Sequence, residues 1–166
     1  MKNSSDNKVV EMFKHANMSA KVMSVADAFE MKRGGQLYNL HIAYETWGSL
    51  NSDKSNVIVI FTGLSASSHV TSSKSDQAPG WWEAMVGEGK AIDTKKYYVI
   101  CINTLGSCFG STSPVSLNKQ TNQPYRLTFP ELTVEDMANA SHLLLEKISI
   151  KKIHILIGPS LGGMKA

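Results

Sequence analysis

The stretch Ile153-His154-Ile155-Leu156-Ile157-Gly158-Pro159-Ser160-Leu161-Gly162-Gly163 decides how this chain is read. Its first part, IHILI, is a short β-branched run of the kind that forms a strand buried on both faces of a parallel sheet. Directly behind it stands G-x-S-x-G, Gly158 to Gly162. A serine in that setting belongs on a tight strand-to-helix turn, a nucleophile elbow. Such a turn leaves no room for side chains two residues before and two after the serine, which accounts for Gly158 and Gly162. It lifts the Ser160 hydroxyl above the sheet, at the N-terminus of the next helix. There the helix dipole and free N–H groups favour developing negative charge, and the N–H of Leu161 is the first expected oxyanion donor. Pro159 only confines Gly158 to extended geometry, which a strand end already has. The motif alone also arises by chance, and its bland alternative is a glycine-rich turn closing a strand; the strand before it favours the elbow.

Two further runs share the pattern of IHILI: VIVIF (57–61) and YYVICI (97–102). Residues 56–61, 97–102 and 152–157 are therefore expected as neighbouring, mostly parallel central strands, and the fold class as α/β. Residues 134–147 read as a helix on one face of that sheet. Thr133 is a good N-cap and Asp136 stands where a capping box puts its acid. Val134, Met137, Ala138, Leu144, Leu145 and Ile148 recur at helical spacing. Leu37, Leu40, Ile42 and Tyr44 lie in a β-prone stretch ending at Gly48. Residues 1–35 show no clean period and end in Lys32-Arg33-Gly34-Gly35. The chain thus divides into a lead-in, 1–36, and a body, 37–166. Two long polar stretches, 65–79 and 103–130, are of a length that is usually functional or mobile.

Composition bounds the function. The chain has 166 residues, 42% apolar and 19% charged, which suits one folded domain of roughly 100–200 residues and argues against disorder. No apolar run approaches the ~20 residues of a membrane helix, and the first residues lack the apolar core of a secretory signal. Two cysteines are too few for a disulfide scaffold or a zinc site, so the reducing cytoplasm is the expected compartment. A net charge of +3, spread along the chain, excludes a nucleic-acid-binding stripe.

A second site element is Phe61-Thr62-Gly63-Leu64-Ser65-Ala66, which follows VIVIF. In hydrolase-like folds a loop in this position gives the second oxyanion N–H, here from Leu64 or Ser65; the alternative is an ordinary turn. Among the histidines, His15, His41, His142 and His154 have no acid patterned as an orienter, and His69 is the one mild candidate for a base. Gly87-Glu88-Gly89-Lys90 lacks the glycine and the Ser or Thr of a P-loop, with Ala84 and Ala91 in those places. Trp81-Trp82 reads as packing, Cys101 as a small core residue, Cys108 as a loop thiol and Arg126 as a surface arginine.

The stretches AYETWGSLN (43–51), PGWWEAMVGEGKAIDT (79–94), YYVICIN with LGSCFGSTSP (105–114), PYRLTFPELTVEDM (124–137) and GPSLGGM (158–164) together resemble the N-terminal half of the homoserine O-acyltransferase family. That resemblance implies an α/β-hydrolase fold ending, in this chain, just after the elbow. It implies Ser160 as a nucleophile that takes an acetyl or succinyl group from acyl-CoA and passes it to the hydroxyl of L-homoserine or L-serine, in methionine or cysteine biosynthesis. TGLSASSH, LGSCFGST and PYRLTFPEL look closer to the serine-acylating branch. It implies Leu64 and Leu161 as oxyanion donors, Gly63, Leu64, Ser65 and Ala66 as substrate-binding residues, no metal, no cofactor beyond the acyl-CoA co-substrate, and a homodimer. The family's acid and histidine follow the nucleophile in the order Ser, Asp, His. Only six residues follow Ser160 here, none of them Asp or His, so this chain alone is expected to be inactive. The other readings are an esterase or thioesterase on the same fold, and a non-catalytic truncated product.

Overall fold

The computed structural model describes residues 19–166; His15 and the first half of the lead-in lie outside the described residues. A five-stranded sheet forms the centre, in the order β1-β2-β6-β3-β9. Its strands are β1 (Lys21–Glu30), β2 (Gln36–Trp47), β3 (Val57–Phe61), β6 (Tyr98–Ile102) and β9 (Ile155–Ile157). β3 runs parallel to β6 on one side and to β9 on the other, while β2 lies antiparallel to β6 and β1 antiparallel to β2. Two minor ladders, β4 with β5 (Val86–Gly87, Ile92–Asp93) and β7 with β8 (Leu117–Asn118, Gln123–Pro124), decorate the loops. The three expected central strands are thus present, adjacent and parallel.

β3 and β6 are β-branched runs buried on both faces, as their sequences require. Every residue of β3 is buried, as is β6 from Val99 onward. One face carries Val57, Val59, Phe61, Ile100 and Ile102 into a core shared with Leu37, Leu40, Ile42 and the helix α1 (Val134–Lys147). The other carries Ile58, Ile60, Val99 and Cys101 against Trp47, Val70, Val86 and Ile92. Trp81 and Trp82 stack on each other at 5.3 Å between centroids and pack on this second cluster, the packing role expected of them. Burial raises the pKa of the Cys101 thiol, which keeps it protonated and inert.

α1 starts where its capping box predicts. Thr133 Oγ1 accepts the Asp136 N–H, and Asp136 accepts the Thr133 N–H in return. Asp136 also accepts the Lys32 N–H at 2.9 Å, so the cap ties the helix to the β1–β2 turn. The buried face differs in part from the expected one. Ala140 and Ser141, with Leu144 and Leu145, are buried, while Val134 and Ala138 are not. The spacing Met137, Ala140, Ser141, Leu144, Leu145, Ile148 fits the 3.6-residue period, and small residues let the helix sit close to the sheet.

Two expectations need correction. The sequence reading assigns no element to residues 21–30, yet β1 forms there. Only Val25 and Phe29 of β1 are buried, and its register slips between Ser24 and Ala26. Such a bulge destroys the alternation by which a strand is recognised. The run at 153–157 is not buried on both faces. Ile153, Ile155 and Leu156 are 43%, 41% and 37% exposed, and the strand itself is only 155–157. β9 pairs with β3 alone, so its outer edge has no neighbour among the described residues. His154 is correspondingly exposed and stacks on Tyr97.

The long stretches 65–79 and 103–130 are pinned rather than loose. The second crosses β2, where Ser111 accepts the Ala43 N–H, Thr112 accepts the His41 N–H and the Tyr125 hydroxyl accepts the Tyr38 N–H. The first leads into PGWWEAM, where Glu83 accepts bonds from Gly80 N–H, Ser72 N–H and the Ser72 hydroxyl. Those donors, the Gly80 amide foremost, hold the Glu83 carboxyl down at about 2.

Candidate active site

The parallel strands β3, β6 and β9 deliver three turns to one end of the sheet, their C-terminal end, where open α/β sheets place ligands. From β3 comes Phe61-Thr62-Gly63-Leu64, from β6 comes Asn103-Thr104, and from β9 comes Gly158-Pro159-Ser160. Ser160 joins β9 to α2 (Leu161–Lys165). Its backbone sits at φ 53°, ψ −125°, a region that favours glycine and that a side-chain-bearing residue occupies only when its surroundings impose it.

The flanking glycines show what imposes it. A Cβ on Gly158 would lie 2.2 Å from the Gly162 carbonyl carbon. One on Gly162 would lie 2.4 Å from the Phe61 carbonyl oxygen. No side chain fits at either position, so the strand end and the first turn of α2 touch through bare backbone. The Ser160 side chain is the one that projects, and it is exposed.

The Leu161 N–H faces no hydrogen-bond acceptor among the described residues, and neither does the Leu64 N–H. Gly63 stands over the elbow: a Cβ there would lie 3.7 Å from the Pro159 carbonyl oxygen. The structure therefore brings the Gly63–Leu64 turn and the Ser160–Leu161 turn together, as the sequence reading expects. The Leu64 side chain is 76% exposed; Ser65 is also exposed and Ala66 half-buried.

The histidines are elsewhere engaged. His69 places Nδ1 3.0 Å from Glu45 Oε2 and Nε2 2.8 Å from the Ala78 carbonyl oxygen. Burial works against its charged form, but the Ala78 carbonyl and the Glu45 carboxylate outweigh it and raise the pKa. Both ring nitrogens then donate, and no lone pair remains to accept a serine proton. His41 holds Nδ1 against the Asn39 carbonyl, and His142 pairs with Glu146 on α1. Gly87-Glu88-Gly89-Lys90 holds no phosphate-loop geometry; Lys90 bonds the Glu83 carbonyl and side chain. Among the described residues no cluster of three or more His, Cys, Asp or Glu could hold a metal, and no helix is long and apolar enough to cross a membrane.

A side-chain chain lies beneath the two turns that the sequence reading does not anticipate. Lys165, in α2, is 6% exposed. Its Nζ donates to Thr104 Oγ1 at 2.5 Å, and Thr104 Oγ1 shares a 2.9 Å hydrogen bond with Thr62 Oγ1. No sequence signal marks it, since a lysine one turn past the elbow reads as a solvated helix end.

The elbow geometry has a counterpart in known proteins. The family model of the alpha/beta hydrolase fold matches residues 56–166. The chain belongs to the α/β-hydrolase fold family. Within it, this chain is 52% identical over 138 residues to a serine O-succinyltransferase of Xanthomonas oryzae pv. oryzae, covering 83% of this chain and 35% of that protein. It is 48% identical over 148 residues to an L-serine/homoserine O-acetyltransferase of Streptomyces lavendulae, covering 89% and 40%. Among solved structures, esterase E22 superposes with a TM-score of 0.79 at 39% identity over 89% of this chain and 42% of that one. The chain thus spans between a third and a half of the length of these relatives, and the resemblance to O-acyltransferases read from its motifs is what the comparisons return.

Proposed function

We propose that this chain carries the nucleophile and the oxyanion donors of an O-acyltransferase acting on the side-chain hydroxyl of L-serine or L-homoserine. The observation that carries the reading is Ser160, held at φ 53° between β9 and α2, with the Leu161 N–H next in the chain and the Gly63–Leu64 turn set against Pro159. Two relatives named for serine or homoserine acylation, at about half identity, support the acceptor class.

The chemistry follows from the parts. Ser160 Oγ attacks the thioester carbonyl of acetyl- or succinyl-CoA, and its proton passes to a base. The carbonyl oxygen becomes an oxyanion between the Leu161 and Leu64 N–H groups. Collapse breaks the C–S bond, CoA leaves as the thiol once protonated, and the acyl group stays on Ser160. The amino-acid hydroxyl then attacks the acyl-serine, yielding the O-acyl amino acid and free Ser160, a ping-pong sequence. Gly63, Leu64, Ser65 and Ala66 line the approach of the acceptor. No cofactor or metal is needed; the reading places the whole enzyme, a homodimer, in cytoplasmic methionine or cysteine biosynthesis. His69 holds both ring nitrogens against acceptors, so it is not the base that takes the Ser160 proton.

Mass spectrometry after incubation with acetyl- or succinyl-CoA tests this. One acyl increment on Ser160, absent in Ser160→Ala, is expected. An increment that maps to another residue, or that persists in Ser160→Ala, overturns it. The second reading, ester or thioester hydrolysis, is favoured by the likeness to esterase E22. Loss of the increment in water at the same rate with and without L-serine or L-homoserine would select it.

A further inference from the structure

A buried ammonium is expensive unless it is paired or hydrogen-bonded, and Lys165 pairs with no carboxylate among the described residues. It is instead placed over the Phe61 ring, 5.1 Å from the centroid, and bonded to Thr104 Oγ1 at 2.5 Å. A methionine or leucine would fill the space without that cost. Among the described residues this is also the one hydrogen bond that α2 makes beyond its own first turn. The elbow helix otherwise meets the sheet end through the bare approach of Gly162 to the Phe61 and Thr62 carbonyls, which carries no hydrogen bond and does not fix the helix in the plane of that contact.

Three turns are joined by the Lys165 side chain. It leaves α2, reaches Thr104 at the end of β6, and through Thr104 engages Thr62 at the end of β3. Thr62 is wholly buried and is followed by Gly63 and Leu64. An ammonium only donates, so Thr104 accepts from it and turns its remaining hydrogen-bonding capacity to Thr62. The chain thus begins five residues after Ser160 and ends two residues before Leu64.

We propose that Lys165 is a positioning residue: its bond to Thr104, and through it to Thr62, holds the Leu64 turn in register with the Leu161 turn so that both N–H groups aim at one oxyanion. This rests on the reading of those two N–H groups as oxyanion donors. Lys165 touches no substrate and acts only through the geometry of the two turns.

The full 166-residue chain, its Lys165→Met and Thr104→Val variants, and Lys165→Arg are compared in two measurements. The first is amide hydrogen exchange. Lys165→Met and Thr104→Val should each speed exchange in residues 62–66 by about 10-fold or more, as expected when a local unit loses its anchor, with residues 57–61 and 98–102 unchanged. Lys165→Arg, which can still donate to Thr104, should restore protection. The second is the rate at which a fluorophosphonate ester labels Ser160. Misplacing one donor should lower the maximal labelling rate by about 10- to 100-fold, with the half-saturating reagent concentration unchanged. Unchanged exchange at 62–66 in both variants overturns the proposal, as does exchange that rises evenly across the sheet, which marks a merely structural role. If local exchange responds as expected while wild-type Ser160 is not labelled, the clasp stands and the nucleophile reading falls. If Ser160 is labelled equally fast in all four proteins, the clasp does not position the donors and the proposal falls alone.

Discussion

β3 and β9 carry nearly the same message in sequence and meet opposite fates. VIVIF and IHILI are both short β-branched runs, yet every residue of β3 is buried while Ile155 and Leu156 of β9 stay 41% and 37% exposed. β3 has strands on both edges, β6 and β9, whereas among the described residues β9 has β3 alone. An apolar run specifies that a strand will form, but its burial is set by which neighbours arrive, and those are encoded elsewhere. β3 gives stability to the sheet. β9 gives direction, ending in a strained turn that projects Ser160.

If that division holds, the largest effect of any single change at the β9 end falls on chemistry. Ser160→Ala should lower acylation by several orders of magnitude, as loss of a nucleophile does. Its unfolding free energy should stay within about 0.5 kcal/mol of wild type, since an exposed side chain is lost and the backbone strain is kept. Ser160→Gly should lose the same chemistry yet gain about 1 kcal/mol, because glycine tolerates φ 53° that serine does not. Denaturant titration of both variants checks this; a Ser160→Gly protein less stable than Ser160→Ala would mean the elbow is not strained.

The next test sets the two strands against each other directly. Ile60, wholly buried in β3, should cost about 2–5 kcal/mol when replaced by alanine. Leu156, one strand over, should cost under about 1 kcal/mol, because much of its surface already meets solvent. Equal losses would show that β9 is covered in solution.

What the sequence made legible divides along the same line. β3, β6 and α1 announce themselves because their patterns are local: continuous β-branched runs, a Thr133–Asp136 capping box. The elbow is legible for a similar reason, since its G-x-S-x-G spacing is local, although Gly162 is demanded by the distant Phe61 carbonyl as well as by its own turn. β1 is hidden because its bulge at Ser24–Ala26 breaks the alternation. The exposure of β9 and the burial of Lys165 are hidden because each depends on elements far away in the chain. His69 shows the reverse error: its nearness to the Gly63 loop suggests a base, but Glu45, 24 residues away, claims it.

Lys165 offers a smaller, pH-dependent contrast. Burial pushes its pKa down to about 8 from the ordinary 10.5. Above pH 8 the native lysine gives up its proton while the unfolded chain keeps one until about 10.5, so the unfolded state binds more protons in that window. Stability contributed by this residue therefore rises from pH 8 to 10.5, by at most roughly 3 kcal/mol. Followed by denaturant titration, wild type should gain stability relative to Lys165→Met as pH rises across that range. A gap that is flat in pH would mean that the ammonium reaches water.

The smallest effect on stability belongs to the outer edge of β9. Ile155 is paired to β3 through its backbone, but its side chain is 41% exposed, so Ile155→Lys should shift unfolding by only about 0.5 kcal/mol. The consequence for association is larger. An open strand edge with apolar side chains is a template for pairing with another chain, and a lysine on such an edge is a common way proteins block it. Wild-type protein should therefore bind an apolar dye and form higher-mass species by light scattering as concentration rises. Ile155→Lys should reduce both at unchanged secondary structure. Were the variant instead to unfold as readily as Ile60→Ala, residue 155 would be facing a packed neighbour, and the distinction between a strand that stabilises and a strand that only presents Ser160 would fail.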